Sequence, residues 1–314
     1  MAKPASPAHE SSVDLSADEE DAIRERQPHR APVLFEIIRR NGQDEIERPL
    51  QSLWWSGIAA GLSIGFSVLA PAMLERWLPD AQWTHAISQL GYSVGFVIVI
   101  LSSQQLFTEN VITAVVPVMA PGPDNSRVRN LLLMARLWAI VLAANLVGTN
   151  LFALFLQQSG AIDAPLAKAI HDVSAHLLDA RPHETLARGM VSGFLIASLV
   201  WILAGIEGSK VGIIVLMTYL IALGNFDHVV AGSVESSYLI LTGAQSFEHA
   251  ATSFFFPTLA GNIIGGTVIF TLLSYGQIRA EMRTGGGARS DDDDPHDEPG
   301  KAARAPLPRS KGKR

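Results

Sequence analysis

Two short polar strings interrupt apolar runs of this chain, and each carries groups that could bind or ionise where a membrane helix would otherwise pass. One is Phe107-Thr108-Glu109-Asn110-Val111, preceded by Ser102-Ser103-Gln104-Gln105-Leu106; the other is Phe226-Asp227-His228-Val229-Val230, preceded by Gly224-Asn225. An imidazole ordinarily titrates at about 6.5, so His228 could share or donate a proton near neutrality. Glu109 and Asp227 add carboxylates, and Thr108, Asn110 and Asn225 add neutral donors and acceptors. An ionisable group inside a membrane span is a functional candidate, because leaving it unpaired there costs roughly 2.5–3.5 kcal/mol or more. Each string is also followed at a similar distance by Asn and Gly. Asn145-Leu146-Val147-Gly148 begins 38 residues after Phe107, and Asn262-Ile263-Ile264-Gly265 begins 36 residues after Phe226.

The elements that would position these strings are membrane helices. Six apolar stretches cover roughly residues 53–74, 86–119, 131–157, 188–205, 210–241 and 251–275, each long enough to cross a bilayer. In hydrocarbon every backbone amide needs an internal partner, which predicts helices. The polar strings fall in the second and fifth stretches, the middle span of each three-span half. A half with three spans ends on the opposite side from its start, so the second half runs inverted. The predicted fold is an all-α membrane protein with six spans, an inverted repeat and broken helices two and five. Non-helical backbone at such depth is tolerated where it is buried in protein or lines a wet cavity, and the half-helix N-termini there suit an anion. Asn145, Gly148, Asn262 and Gly265 read as structural positions where helices approach closely, as do Gly57, Gly61 and Gly65.

The flanks set the orientation. Arg39, Arg40, Arg48, Arg127, Arg129, Lys210, Arg279 and Arg283 all fall on one side if the spans alternate, which predicts both termini in the cytoplasm. Trp54, Trp55 and Trp77 bracket the first span as interfacial aromatics do. Residues 32–45 read as a short interfacial helix or, alternatively, a partner-binding one. Between residues 161 and 186, Leu166, Ile170, Val173, Leu177 and Leu178 recur at helical spacing and predict a helix on the outer surface.

Composition limits the rest. The 314 residues are 48% hydrophobic and contain no Cys, which excludes disulfides, thiolate nucleophiles and Cys-ligated metal. Mean hydropathy is only +0.24 because polar ends dilute the apolar middle. Residues 1–31 and 281–314 are expected to be disordered cytoplasmic tails around a transport unit at 32–280, and Asp291 to Asp294 to be a solvated run. The opening residues lack the apolar stretch of a signal peptide. No zinc, dinucleotide, P-loop or nucleophile-elbow motif occurs, so no catalytic residue, metal, cofactor or nucleic-acid partner is expected. His171 and His176 are five apart on the surface helix and read as solvent-facing; Glu248-His249 lacks a third ligand.

On these strings the chain resembles the formate/nitrite transporter family. The resemblance rests on Leu106-Phe107-Thr108, Asn145-Leu146-Val147-Gly148, Phe226-Asp227-His228, and Pro257 with Gly261-Asn262-Ile263-Ile264-Gly265-Gly266, and it covers about residues 33–280. It implies an aquaporin-like six-span protomer in the bacterial inner membrane, assembled as a homopentamer with one pore per protomer. It implies a small monovalent anion as substrate, such as formate, nitrite or hydrosulfide. His228 matches the central pore His of that family and Thr108 its contact. Leu106 and Phe226 match the two hydrophobic constrictions. Glu109 departs from the small or uncharged residue usual after the Thr, and a carboxylate there repels anions unless protonated or paired, His228 and Asn110 being the possible partners. Asp227 stands for the usual Glu, and Gly193-Phe194 stands where many members have Asn, so a helix-to-helix bond is expected to be lost. No counterpart of the outer Lys is evident: Lys168 is offset, and Leu177 falls nearer that place. A pore for small neutral or protonated solutes, or a non-transporting membrane scaffold, is the alternative reading.

Overall fold

The computed structural model describes residues 31–278 apart from Glu207. The expected tails, with Arg279, Arg283 and Asp291 to Asp294, lie outside the described residues, except that Ala31 opens the first helix. Among the described residues the chain is all helical. Five helices are long and apolar enough to cross a membrane: α2 (Leu50–Trp77), α3 (Thr84–Leu101), α5 (Arg127–Gln158), α7 (Pro182–Ala204) and α10 (Phe247–Ile278). Three apolar helices are shorter: α4 (Phe107–Met119), α8 (Lys210–Leu223) and α9 (Val229–Leu241). α1 (Ala31–Glu47) and α6 (Ala164–Ser174) are amphipathic and lie at opposite ends of α2.

The closest helix pairings are α2 with α5 and α7 with α10, and both depend on the absence of side chains. A Cβ on Gly61 would come within 2.3 Å of the Asn145 carbonyl oxygen, and one on Gly148 within 2.3 Å of the Ile58 carbonyl oxygen. In the second pairing, a Cβ on Gly265 would lie 2.0 Å from the Met190 carbonyl oxygen. Gly61, Gly148 and Gly265 therefore stand where the facing helices leave no room for a Cβ. α10 reaches this contact with two π-helical stretches, Ala250–Phe255 and Ile264–Thr271, which leave Asn262 in the regular segment between them.

The amphipathic helices are pinned by polar contacts. Asp163 caps α6 by accepting from the Leu166 amide (3.1 Å) and also pairs with Arg76 at the end of α2 (2.7 Å). Tyr238 of α9 donates to the Ala167 carbonyl, so α6 is tied from two sides. Leu166, Ile170 and Leu177 face inward, as their spacing predicts. At the other end, Arg129 pairs with Glu47 (2.8 Å), and Arg136 donates to the carbonyls of Ile46 and Arg48, joining α5 to the α1–α2 corner. On α1, Glu36 takes hydrogen bonds from Arg39 and Arg40, and the Arg39 bond above all holds its carboxyl down to about 2.

Candidate functional site

Helix stops at Leu101 and resumes at Phe107; it stops again at Leu223 and resumes at Val229. Ser103 (φ 52°) and Asn225 (φ 50°) turn the chain through the left-handed region at equivalent places. Each break then releases amides and carbonyls with no intrahelical partner, and a buried Asn satisfies them. Asn145 accepts from the Phe107 amide (2.9 Å) and donates to the carbonyls of Gln105 (2.8 Å) and Gly57 (2.8 Å). Asn262 accepts from the Val229 amide (2.9 Å) and donates to the carbonyls of Asp227 (3.0 Å) and Gly189 (2.9 Å).

This pattern fixes the correspondence between the breaks. Phe107 matches Val229, and Leu106 matches His228. Aligning the strings on Phe107 and Phe226 is therefore off by three residues, because the two Phe residues do different jobs. Phe107 is buried in the core with its ring edge on Trp138, while Phe226 lines a cavity.

The structure brings Thr108 and His228 together. Thr108 Oγ1 lies 2.6 Å from His228 Nε2, and both residues are buried. The Ala231 amide donates to His228 Nδ1 (3.2 Å), so Nδ1 is the acceptor and a neutral ring carries its proton on Nε2, donating to Thr108. His228 thus also caps α9, the place its partner Leu106 fills on α4 without a side-chain bond. Phe96 packs edge-on against the imidazole (5.0 Å between ring centres).

One cavity reaches His228, and another reaches Glu109, the neighbour of Thr108 in the chain. The first, of about 260 Å³, lies beneath α6 and is lined by Asn225, Phe226, Asp227 and His228 among others. The second, of about 220 Å³, lies against α1 and is lined by Glu109, the residue after Thr108.

Several expectations change. Glu109 bonds to neither His228 nor Asn110; its Oε1 is buried with no hydrogen-bond partner. Asn110 is taken up by the core, donating to Gln105 Oε1 (3.0 Å) and accepting from Trp138 through its carbonyl. Gly193 does not cost the site a helix-to-helix bond, since the neighbouring Ser192 hydroxyl accepts from Asn262 (2.9 Å). Gly193 itself has no room for a side chain, a Cβ lying 2.4 Å from the Asn262 carbonyl oxygen. His176 keeps 37% of its side chain exposed but lines the first cavity, with Nε2 3.8 Å from Glu235. Desolvation there pushes its imidazole below the usual range, against the pull of the Val173 carbonyl. Glu235, Glu75 and His85, which also line that cavity, carry no motif. The available signal was Glu235 lying two turns beyond His228 on one apolar helix face.

Comparison with known proteins agrees with this architecture. A model of the family described as Formate/nitrite transporter matches residues 32–276. The chain is 39% identical to the inner membrane protein YfdC of Escherichia coli (strain K12) over 280 residues, 87% of this chain and 89% of that protein. It is 25% identical to the formate channel FocB of the same organism over 266 residues, covering 75% of this chain and 90% of FocB. Among solved structures, a pentameric formate channel with formate bound superposes with a TM-score of 0.62 at 20% identity, over 73% of this chain and 97% of the other. An FNT family ion channel superposes at 0.63 with 19% identity, over 82% and 99%. At such identities the superpositions speak for the fold alone. The family match and the 39% relative carry the further step: this chain belongs to the formate/nitrite transporter family.

Proposed function

We propose that this chain is a channel for small monovalent weak-acid anions of the formate and nitrite kind, with its path running between the two breaks past Thr108 and His228. The observation that carries the reading is the 2.6 Å contact between Thr108 Oγ1 and His228 Nε2, which joins the breaks, with one cavity at His228 and another at Glu109 beside Thr108 in the chain. In this reading α3 with α4, and α8 with α9, each count as one broken crossing, so residues 32–280 form a six-span inverted repeat. The matching Asn145 and Asn262 bonds support that view. Leu106 and Phe226 are the greasy steps on either side. A solute protonated beside the imidazole would pass them as a neutral acid, at much lower desolvation cost than as its anion.

Assembly as a homopentamer is part of the proposal. It is supported by the pentameric relative and by broad apolar faces, such as Leu132 and Leu273, that need lipid or a neighbouring subunit. So are a bacterial inner-membrane location, supported by the inner membrane protein YfdC at 39% identity, and cytoplasmic tails at both ends, supported by Arg39, Arg40, Arg48, Arg127 and Arg129 at the α1 end. The test is flux of formate, nitrite and chloride into proteoliposomes with His228→Ala in parallel. Undiminished flux in the variant removes His228 from the mechanism.

A second reading, a pore for neutral or protonated solutes only, is favoured by one observation: the unpartnered Glu109 Oε1 at the second cavity. A strong rise of anion flux in Glu109→Gln supports that carboxylate as the barrier.

A further inference from the structure

We propose that the cavity beneath α6 is a binding site for a small monovalent cation bearing N–H donors, an ammonium or primary alkylammonium ion. This goes beyond the transport reading and does not depend on it. Four carboxylates line the cavity, Glu75, Asp172, Asp227 and Glu235, and no Lys or Arg does. Two of the four are already engaged. Asp172 pairs with Lys168, and Glu75 accepts from Ser88 Oγ (3.0 Å) with His85 Nδ1 3.8 Å away.

The other two are not satisfied. Asp227 is 6% exposed and its Oδ2 has no hydrogen-bond partner. Glu235 is 7% exposed, and its nearest basic group, His176 Nε2, stands at 3.8 Å, beyond hydrogen-bond distance. Arg188, whose charge also reaches Asp227, does not line the cavity and lies 3.9 Å from Glu184. A buried carboxylate that keeps its charge needs a cation beside it, the alternative being to take up a proton. Even a protonated His176 balances only one of them.

The wall between these carboxylates suits an ammonium ion. Glu235 lies two turns along α9 from the break that holds Asp227, on the same face. Gly232 stands between them, and the Phe254 ring fills its place, 2.2 Å from where a Cβ would sit. Tyr92 and Phe226 add further rings. Carboxylate oxygens with aromatic faces recognise an N–H cation through hydrogen bonds and cation–π attraction. Divalent metals need more: calcium takes six to eight oxygen ligands, and among the described residues no three His, Cys, Asp or Glu side chains are grouped to hold a metal.

The test is isothermal titration of the purified full-length protein with methylammonium chloride against sodium chloride at equal ionic strength. It uses wild type, Glu235→Gln and Asp227→Asn, with tetramethylammonium, which has no N–H donor, as the control ion. The expected result is saturable methylammonium binding in the wild type, at least tenfold weaker in both variants and absent with tetramethylammonium. No saturable methylammonium signal in the wild type, unchanged binding in Glu235→Gln, or equal binding of tetramethylammonium each overturns the site. The wild-type comparison of the two ions holds even if a variant fails to fold. Formate flux on the same preparation judges the transport reading separately.

Discussion

Asn145 and Asn262 do the same work at the two breaks: each accepts from the first helical amide after its break and donates to a carbonyl just before it. Each also donates to a Gly carbonyl on a neighbouring helix, Gly57 or Gly189. One amide side chain therefore stabilises a helix start, a strand of irregular backbone and a helix pairing at once. Replacing Asn145 by Ala leaves the Phe107 amide and the Gln105 carbonyl without a partner, and replacing Asn262 leaves the Val229 amide without one, at roughly 1–3 kcal/mol per orphaned group. Asn145→Ala and Asn262→Ala should each lower the thermal unfolding midpoint in detergent markedly, with reduced yield of folded protein. Asn→Asp keeps the acceptor but turns a buried carboxylate oxygen towards two carbonyls, and should destabilise at least as much as Ala.

Much of this frame was legible in the sequence, and the limits have physical causes. Long apolar runs announce membrane helices whatever their neighbours, and the ends of α5 and α7 lie within a few residues of the expected spans at 131–157 and 188–205. The breaks announced themselves because polar groups such as Thr108 and His228 are too costly in a span without a purpose. The register between the breaks was not legible. Phe107 and Phe226 are chemically alike, and only the amide bonds of Asn145 and Asn262 show that Phe107 and Val229 correspond. Glu235 escaped notice because its significance depends on α6 folding over it, a contact that spacing along α9 does not encode. Ser192 escaped for the same reason: its bond to Asn262 exists only because Gly193 lets two helices close on each other.

Glycines make a clean contrast. Gly148 sits in the middle of α5 and Gly212 in the first turn of α8, and a Cβ on Gly148 would clash with the Ile58 carbonyl at 2.3 Å, while one on Gly212 meets nothing within 4 Å. Gly148→Ala must push α5 away from α2 and should destabilise by about 1–3 kcal/mol, as overpacked cores do. Gly212→Ala should be neutral or stabilising by up to about 1 kcal/mol through helix propensity. Paired thermal melts of the two variants check both signs, and an equal loss in each would contradict the close approach of α2 and α5.

The Glu36 pair gives a pH dependence with a definite direction. Hydrogen bonds from Arg39, and then from Arg40, hold the Glu36 carboxyl at about 2 against an unfolded value of 4.5. The contribution is complete above about pH 4.5 and declines as pH falls towards 2, where the folded carboxyl takes up its proton. Glu36 is 41% exposed, so the contribution is modest, roughly 0.2–1 kcal/mol for an exposed pair. Glu36→Gln should remove this part of the acid sensitivity and leave the melting point lower by a small, constant amount above pH 5. A variant whose stability tracked wild type from pH 6 to 3 would rule the contribution out.

His228 has two separable jobs, because its two nitrogens face different partners. Nδ1 caps α9 through the Ala231 amide, and Nε2 reaches Thr108 on the other break. Asn is among the best capping residues and can take over the first job, but it is too short for the second. His228→Asn should therefore keep the unfolding free energy within about 1 kcal/mol of wild type, whereas His228→Ala loses both the cap and the bridge. Thr108→Val removes the bridge from the opposite side with little change in volume, and Thr108→Ser restores a hydroxyl there. If the bridge is what the solute meets, formate flux in proteoliposomes should drop in His228→Asn and in Thr108→Val and recover in Thr108→Ser. Flux that followed the melting points instead, low only in His228→Ala, would assign the pair to folding and take it out of the path.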